Sequence, residues 1–164
     1  TPDRPVARLV GNLLIFVIVL VALAATFFVA RGFNQYREAL AALPLDEMER
    51  NYLKLLHSKT GAAVARDRFG VSDEIYNAIF YHTTGKADMT LLEKIIYLAD
   101  YIEPSRSFPG VEELRTAVHE DLDRGLCRAL ADSIVELQGY GSPVHPNTQE
   151  ALSYIQREIG GTIE

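Results

Sequence analysis

A single cysteine, Cys127, leaves this 164-residue chain without an intramolecular disulfide. Its setting in the apolar run GLCRALADSIVEL predicts a buried thiol rather than a nucleophile. Basic residues are in deficit, with 16 Lys and Arg against 22 Asp and Glu, a net charge of −6 and a pI near 5.2. Broad nucleic-acid binding wants a basic face, so DNA and RNA are excluded as partners. No stretch alternates convincingly with period two, and no repeat or low-complexity tract occurs, which removes sheet architectures. P-loop, G-x-G-x-x-G, G-x-S-x-G and C-x-x-C signatures are all missing. The chain opens on Thr1 instead of Met, which points to a truncated or processed start. At this length one domain with an appendage is the upper limit.

Charge is absent from one long run. LVGNLLIFVIVLVALAATFFVA, Leu9 to Ala30, carries none and lies between Arg8 and Arg31. A helix rising ~1.5 Å per residue needs about 20 apolar residues to cross the hydrocarbon core. The run therefore predicts a membrane anchor. A secretory signal cut near Ala22-Leu23-Ala24 is one competing reading, although the apolar run continues well past that point. A buried core helix is the other, but such a helix in a small domain usually shows a polar stripe. Arg31, Arg37 and Arg50 follow the span while Arg4 and Arg8 precede it, which turns the C-terminal part towards the cytoplasm. Without a span the chain would be soluble and cytoplasmic. The predicted organisation is a hydrophobic segment over 1–34 and a helical domain over 35–164.

After the run the pattern is helical throughout, so the fold class is all-α. FNQYREALAALPLDEMERNYLKLLH has helical spacing interrupted at Pro44, and SKTGAAVARDRFG ends at Gly70, a C-cap position. SDEIYNAIFYH starts at Ser72 with acids in its first turn. TLLEKIIYLADYIEP opens with a capping box, Thr90 and Glu93, and stops at Pro104. VEELRTAVHEDLDRGLCRALADSIVELQ predicts one bent helix or two shorter ones. In NTQEALSYIQREIGG, Asn147 or Thr148 is the expected cap and Gly160-Gly161 the terminator.

Three polar residues exceed what this pattern needs. His57 and His82 close the apolar segments YLKLLH and AIFYH, and Asp100 stands within the apolar segment KIIYLADYIEP. A histidine in a last helical turn interacts favourably with the helix dipole, and a lone Asp is ordinarily solvated or paired with Arg. Together, two imidazoles and a carboxylate on a small bundle also form a ligand set for a shared metal. Nitrogen plus carboxylate oxygen suits Mn, Fe, Co, Ni or Zn rather than Ca. Spacing alone leaves both readings open.

LLHSKTGAAVARDRFG, IYNAIFYHTTGKADMTLLEKIIYLADYIEPSRSFPGVEELR and GSPVHPNT resemble the YqeK family of HD-domain phosphohydrolases, over about Leu53 to Ala151. The YHTTG turn, LEKIIYLADYIEP and R-x-F-P-G carry that resemblance. It implies an HD-like helical bundle and symmetrical hydrolysis of diadenosine tetraphosphate to two ADP. It also implies a divalent transition metal, iron first, held by His57, His82 and Asp100, so that Asp100 is buried beside a cation. Thr83, Thr84, Arg106 and His145 match positions suited to substrate phosphates or the substrate edge. His145 precedes a helix cap, Lys86 reads as solvated, Lys94 as a surface residue or a support behind the ligands, and His119 as exposed helix surface.

The family's first His and its His-Asp pair precede the LLH helix, and this chain has no histidine before His57. LPLDEM resembles the segment that follows the pair, which places the departure upstream of about Leu43. Three ligands can hold one metal with an open position, whereas a two-metal clamp is harder to build. Asp46, Glu47 and Glu49 are the nearest acids that could replace the missing ligands. The explanations are a fused or truncated remnant, a degenerate copy, or an enzyme completed by another chain. The alternative function is a catalytically silent, membrane-tethered module that binds nucleotide or a partner. Expected partners are a dinucleoside polyphosphate or other nucleotide, the membrane through residues 9–30, and a second copy in a homodimer.

Overall fold

The structure, a computed structural model, describes residue 43 and residues 45–160, and all regular structure among them is helical. The chain divides into two compact units between Phe80 and Tyr81. The run Leu9–Ala30 and the boundary at residue 34 lie outside the described residues. Among the described residues, no helix is long and apolar enough to cross a membrane.

Among the described residues, the first unit begins with a short helix, α1 (Glu47–Asn51), entered through a capping box. Asp46 Oδ1 accepts from the Glu49 amide at 2.8 Å, and Glu49 Oε2 accepts from the Asp46 amide at 2.9 Å. The chain then breaks at Tyr52 (φ −118°, ψ 91°) before α2, Leu53–Phe69. His57 therefore sits in the opening turns of a 17-residue helix. The helix-end account of His57 is corrected, because the C-terminal dipole is far from it. Gly70, at φ +60°, ends α2 as expected, and its amide bonds the Arg66 carbonyl at 3.0 Å.

Helix α3 (Asp73–Tyr81) returns along α2. The Lys59 ammonium lies 4.7 Å from the Phe80 ring centre, and the Arg66 guanidinium lies 3.5 Å from that of Tyr76. Tyr76 and Phe80 stack at 5.6 Å, and Arg66 also meets Asp73 at 2.5 Å. Two cations two turns apart thus fit two rings one turn apart on an antiparallel neighbour. Each such contact is worth about 0.5–1 kcal/mol when exposed.

The second unit is built on α4 (Leu91–Tyr101), α5 (Val111–Glu120), α6 (Leu122–Gly139) and α7 (Pro146–Glu158). Its core joins Tyr97 and Leu98 of α4, Leu114 of α5, Leu126, Cys127, Ala129 and Leu130 of α6, and Ala151 and Ile155 of α7. α6 packs on all three of the others. Cys127 is buried, as its apolar surroundings predict. The Thr90–Glu93 capping box is present. α4 ends at Tyr101, earlier than Pro104 would require. Of the two readings of residues 111–139, the broken one holds: Asp121 is extended (φ −150°, ψ 109°) and caps α6 by accepting from the amides of Asp123 and Arg124.

That break lets α5 and α6 meet at a point where no side chain fits. A Cβ on Gly125 would stand 2.6 Å from Val118 Cγ2 and 2.7 Å from its backbone Cα. Gly139, later on the same helix, has nothing within 4 Å of its Cβ position. Gly125→Ala is therefore expected to cost about 1–3 kcal/mol through overpacking. Gly139→Ala should be neutral or gain up to about 1 kcal/mol from helix propensity. Urea unfolding followed by circular dichroism compares the two, and equal effects would contradict the close approach.

Candidate functional site

Asp100 stands one residue before the end of α4, and its side chain is 51% exposed. The expectation of a buried carboxylate is corrected: the helix runs out of the core within a turn of the buried Ala99. Its positive neighbour is Arg106, whose Nη2 lies 3.6 Å from Asp100 Oδ2. Arg106 Nε also donates to the Asp100 carbonyl at 3.3 Å and lies 3.6 Å from Glu103 Oε1. These are long contacts around a half-exposed guanidinium, so its planar fork still faces water and can receive a phosphate.

The loop that carries Arg106 is built in detail. Ser105 donates from its amide at 2.9 Å and from its hydroxyl to the two Glu103 carboxylate oxygens. These bonds, aided by the Arg106 and Arg115 charges, hold the Glu103 carboxyl below the usual carboxylate range. Arg115 of α5 donates from Nε to the Ile102 carbonyl (3.0 Å) and from Nη2 to the carbonyls of Glu103 (2.8 Å) and Arg106 (3.1 Å). On the apolar side, Tyr101 packs against Tyr97 at 6.3 Å and edge-on against Phe108 at 5.4 Å.

At a second place in the same unit, the turn after α3 meets the start of α7. His82 is buried just past Tyr81, where a helix C-terminus favours an imidazole. The Thr84 carbonyl accepts from Thr148 Oγ1 at 2.8 Å, and its hydroxyl donates to the Gly85 carbonyl at 3.0 Å. The buried Thr84 hydroxyl is thus engaged within the protein. Thr83, beside it, is half-buried. Gly85, at φ +66°, would bring a Cβ to 3.3 Å from Ala151, so the turn can lie close on α7 only with glycine there.

His145 is itself the N-cap of α7, with Pro146 at the first helical position, and neither Asn147 nor Thr148 takes that place. His145 Nδ1 accepts from the Asn147 amide at 3.1 Å. Lys86, read as solvated, pairs with the buried Glu93 at 3.1 Å and donates to the Asp88 carbonyl at 2.9 Å. Lys94 meets Asp123 at 2.6 Å and ties α4 to the first turn of α6. His119 is exposed in the last turn of α5, as read. His57 belongs to the first unit, where it is exposed on α2. Arg115 escaped the sequence reading, because its role lies in carbonyl groups 9 to 13 residues away.

A family model described as the HD domain matches residues 38–105, a stretch that includes His57, His82 and Asp100. A protein of Bacillus subtilis named symmetrical bis(5'-nucleosyl)-tetraphosphatase is 40% identical over 131 residues, 77% of this chain and 70% of its own. Proteins of the same name from Halalkalibacterium halodurans and Staphylococcus aureus are 47% and 36% identical over 96 and 104 residues. The chain spans about half the length of these two, 51% and 54%. Among solved structures, a protein of Clostridium acetobutylicum described as a predicted HD superfamily hydrolase involved in NAD metabolism superposes with a TM-score of 0.70. The two are 38% identical, over 76% of this chain and 67% of the other.

Two tyrosines give the α4 end a pH signature. Burial above all, then Tyr101 and Asp100, raises the Tyr97 hydroxyl far above its usual value, against an opposing hydrogen bond with Ser133. Burial, then Glu136 and Asp132, pushes Tyr101 up to about 12, with Arg106 opposing. Unfolded tyrosines ionise near 10, so between pH 10 and 12 unfolding releases protons that the folded chain retains. The stability these groups contribute is fully present below pH 10 and falls as pH rises through about 12. Unfolding at a series of alkaline pH values should show this decline, and Tyr97→Phe should flatten it.

Proposed function

From its place in the HD-domain family of symmetrical bis(5'-nucleosyl)-tetraphosphatases, to which the chain belongs, we propose that it is a metal-dependent phosphohydrolase acting on dinucleoside polyphosphates. The carrying observation is the 40% identity to the Bacillus subtilis protein across 70% of that protein's length. The substrate is diadenosine tetraphosphate. Water adds across its central P–O–P linkage, and the two halves leave as ADP.

His57, His82 and Asp100 would hold a divalent transition metal. Their donor chemistry, two imidazoles and a carboxylate, fits Fe, Mn, Co, Ni or Zn, with iron first. Asp100 fits in a second respect: half exposed and, among the described residues, held by a 3.6 Å ion pair, it can turn to a cation without breaking a tight bond. When bound, the metal supplies acidity to the attacking water and positive charge against the phosphoryl oxygens. The chain's own residues do the rest. Arg106 presents its fork to the phosphates and neutralises charge there. Thr83 and the backbone of the YHTTG turn meet phosphate oxygens, and His145 stands at the substrate's edge. The uncharged run Leu9–Ala30 would tether this domain to a membrane, facing the cytoplasm.

The purified chain, supplied with iron or manganese, should convert diadenosine tetraphosphate to ADP alone, with no ATP or AMP. Asp100→Ala should lose both bound metal and hydrolysis, while stability moves by no more than about ±0.5 kcal/mol because the side chain is exposed. A wild type that neither retains metal nor hydrolyses would point instead to a silent nucleotide-binding module. For the membrane tether, the chain should sediment with membranes in high salt and come off only in detergent, since burial of apolar residues is not screened. Extraction by salt would refute it.

A further inference from the structure

Arg106 is held weakly by its own neighbours, yet its loop must stand still for its guanidinium to meet a phosphate. The three contacts of Arg106 itself, at 3.3, 3.6 and 3.6 Å, are too long to fix it. Firm anchoring comes from α5. Arg115 bonds the carbonyls of Ile102, Glu103 and Arg106 at 3.0, 2.8 and 3.1 Å, which brackets the loop at both ends. Ile102 caps α4, so its carbonyl and the next lie at the negative end of the helix dipole, where a cation is favoured. Glu112, one turn back on α5, pairs with Arg115 Nη1 and keeps the fork turned towards the loop. A planar guanidinium can serve three carbonyls at once, whereas a lysine ammonium on a flexible stem cannot hold the same fork.

We infer that Arg115 is a positioning residue for phosphate recognition: it holds the 102–106 loop so that Arg106 is ready for the substrate. This rests on the phosphate-binding part of the proposed function and adds to it the group that organises the site. Arg115 is mostly covered, and its bonds run to backbone carbonyls, so it acts through Arg106 and not on the substrate.

The test uses the whole chain, with Arg115→Lys, which keeps the charge, beside Arg115→Ala, Arg106→Ala and the double variant Arg106→Ala/Arg115→Lys. ADP binding by calorimetry and the KM for diadenosine tetraphosphate are read together with thermal unfolding. Arg115→Lys should unfold near the wild-type temperature and weaken ADP binding about tenfold, with a matching rise in KM and a smaller change in kcat. In the Arg106→Ala background the same change should cost less than about twofold, because the group it positions is gone. Hydrogen exchange of amides 102–110 should quicken in both Arg115 variants and stay unchanged in Arg106→Ala. Equal losses in both backgrounds, or lower stability with unaltered ADP affinity, would overturn the inference. A wild type that binds ADP without hydrolysing leaves Arg115 in this role while the hydrolase reading fails. A wild type that binds no ADP defeats both.

Discussion

A carboxylate removed from water must be answered by donors at close range, and Glu93 is answered twice. It is 2% exposed, accepts from the Thr90 amide at 2.6 Å and faces the Lys86 ammonium at 3.1 Å. Thr90 Oγ1 in turn accepts from the Glu93 amide at 3.3 Å, so the first turn of α4 is closed on itself. Removing one partner of such a buried pair costs about 3–5 kcal/mol, because the other charge is stranded. The start of α4 is therefore pinned, and with it the depth at which Tyr97 and Leu98 enter the core and the turn at which Asp100 emerges. The first unit uses the same device. Glu49, 1% exposed, closes the capping box of α1 and pairs with Lys59, which also covers the Phe80 ring.

From that start, the candidate site follows by geometry. α4 carries apolar residues until Ala99 and then leaves the core, which places Asp100 and the chain after it at the surface. The loop that follows has little core of its own beyond Phe108 against Tyr101, so its order depends on polar bonds. Arg115 supplies them from a helix that is itself seated by the contact between Gly125 and Val118. The half-exposed Arg106 is thus supported by a chain of contacts reaching to the centre of the second unit.

What the sequence announced and what it concealed divide by range. Gly70 and the Thr90–Glu93 box were legible because the capping partners lie within four residues of each other. The break at Asp121 was half-legible: the pattern allowed it, and the extended backbone that permits the close α5–α6 approach decided it. His145 was misread because an imidazole is not among the usual N-cap acceptors, although Pro146 behind it marks a helix start. Asp46 and Glu49 were weighed only as replacement metal ligands, and they also form a capping pair of the same form as Thr90 and Glu93. The exposure of Asp100 depends on where the helix leaves the core, and Arg115's partners on how a loop folds back. Neither is written in residue spacing.

The aromatic group at the end of α4 has an optical consequence. The chain contains eight tyrosines and no tryptophan, so its near-ultraviolet emission is tyrosine emission. Tyr101 stacks near Tyr97, meets Phe108 of the Arg106 loop, and feels the charges of Glu136, Asp132 and Arg106. A phenol in that position is sensitive to any anion that draws Arg106 away or moves the loop. The protein carries its own fluorophore beside Arg106, and a change around that guanidinium can be followed without a label.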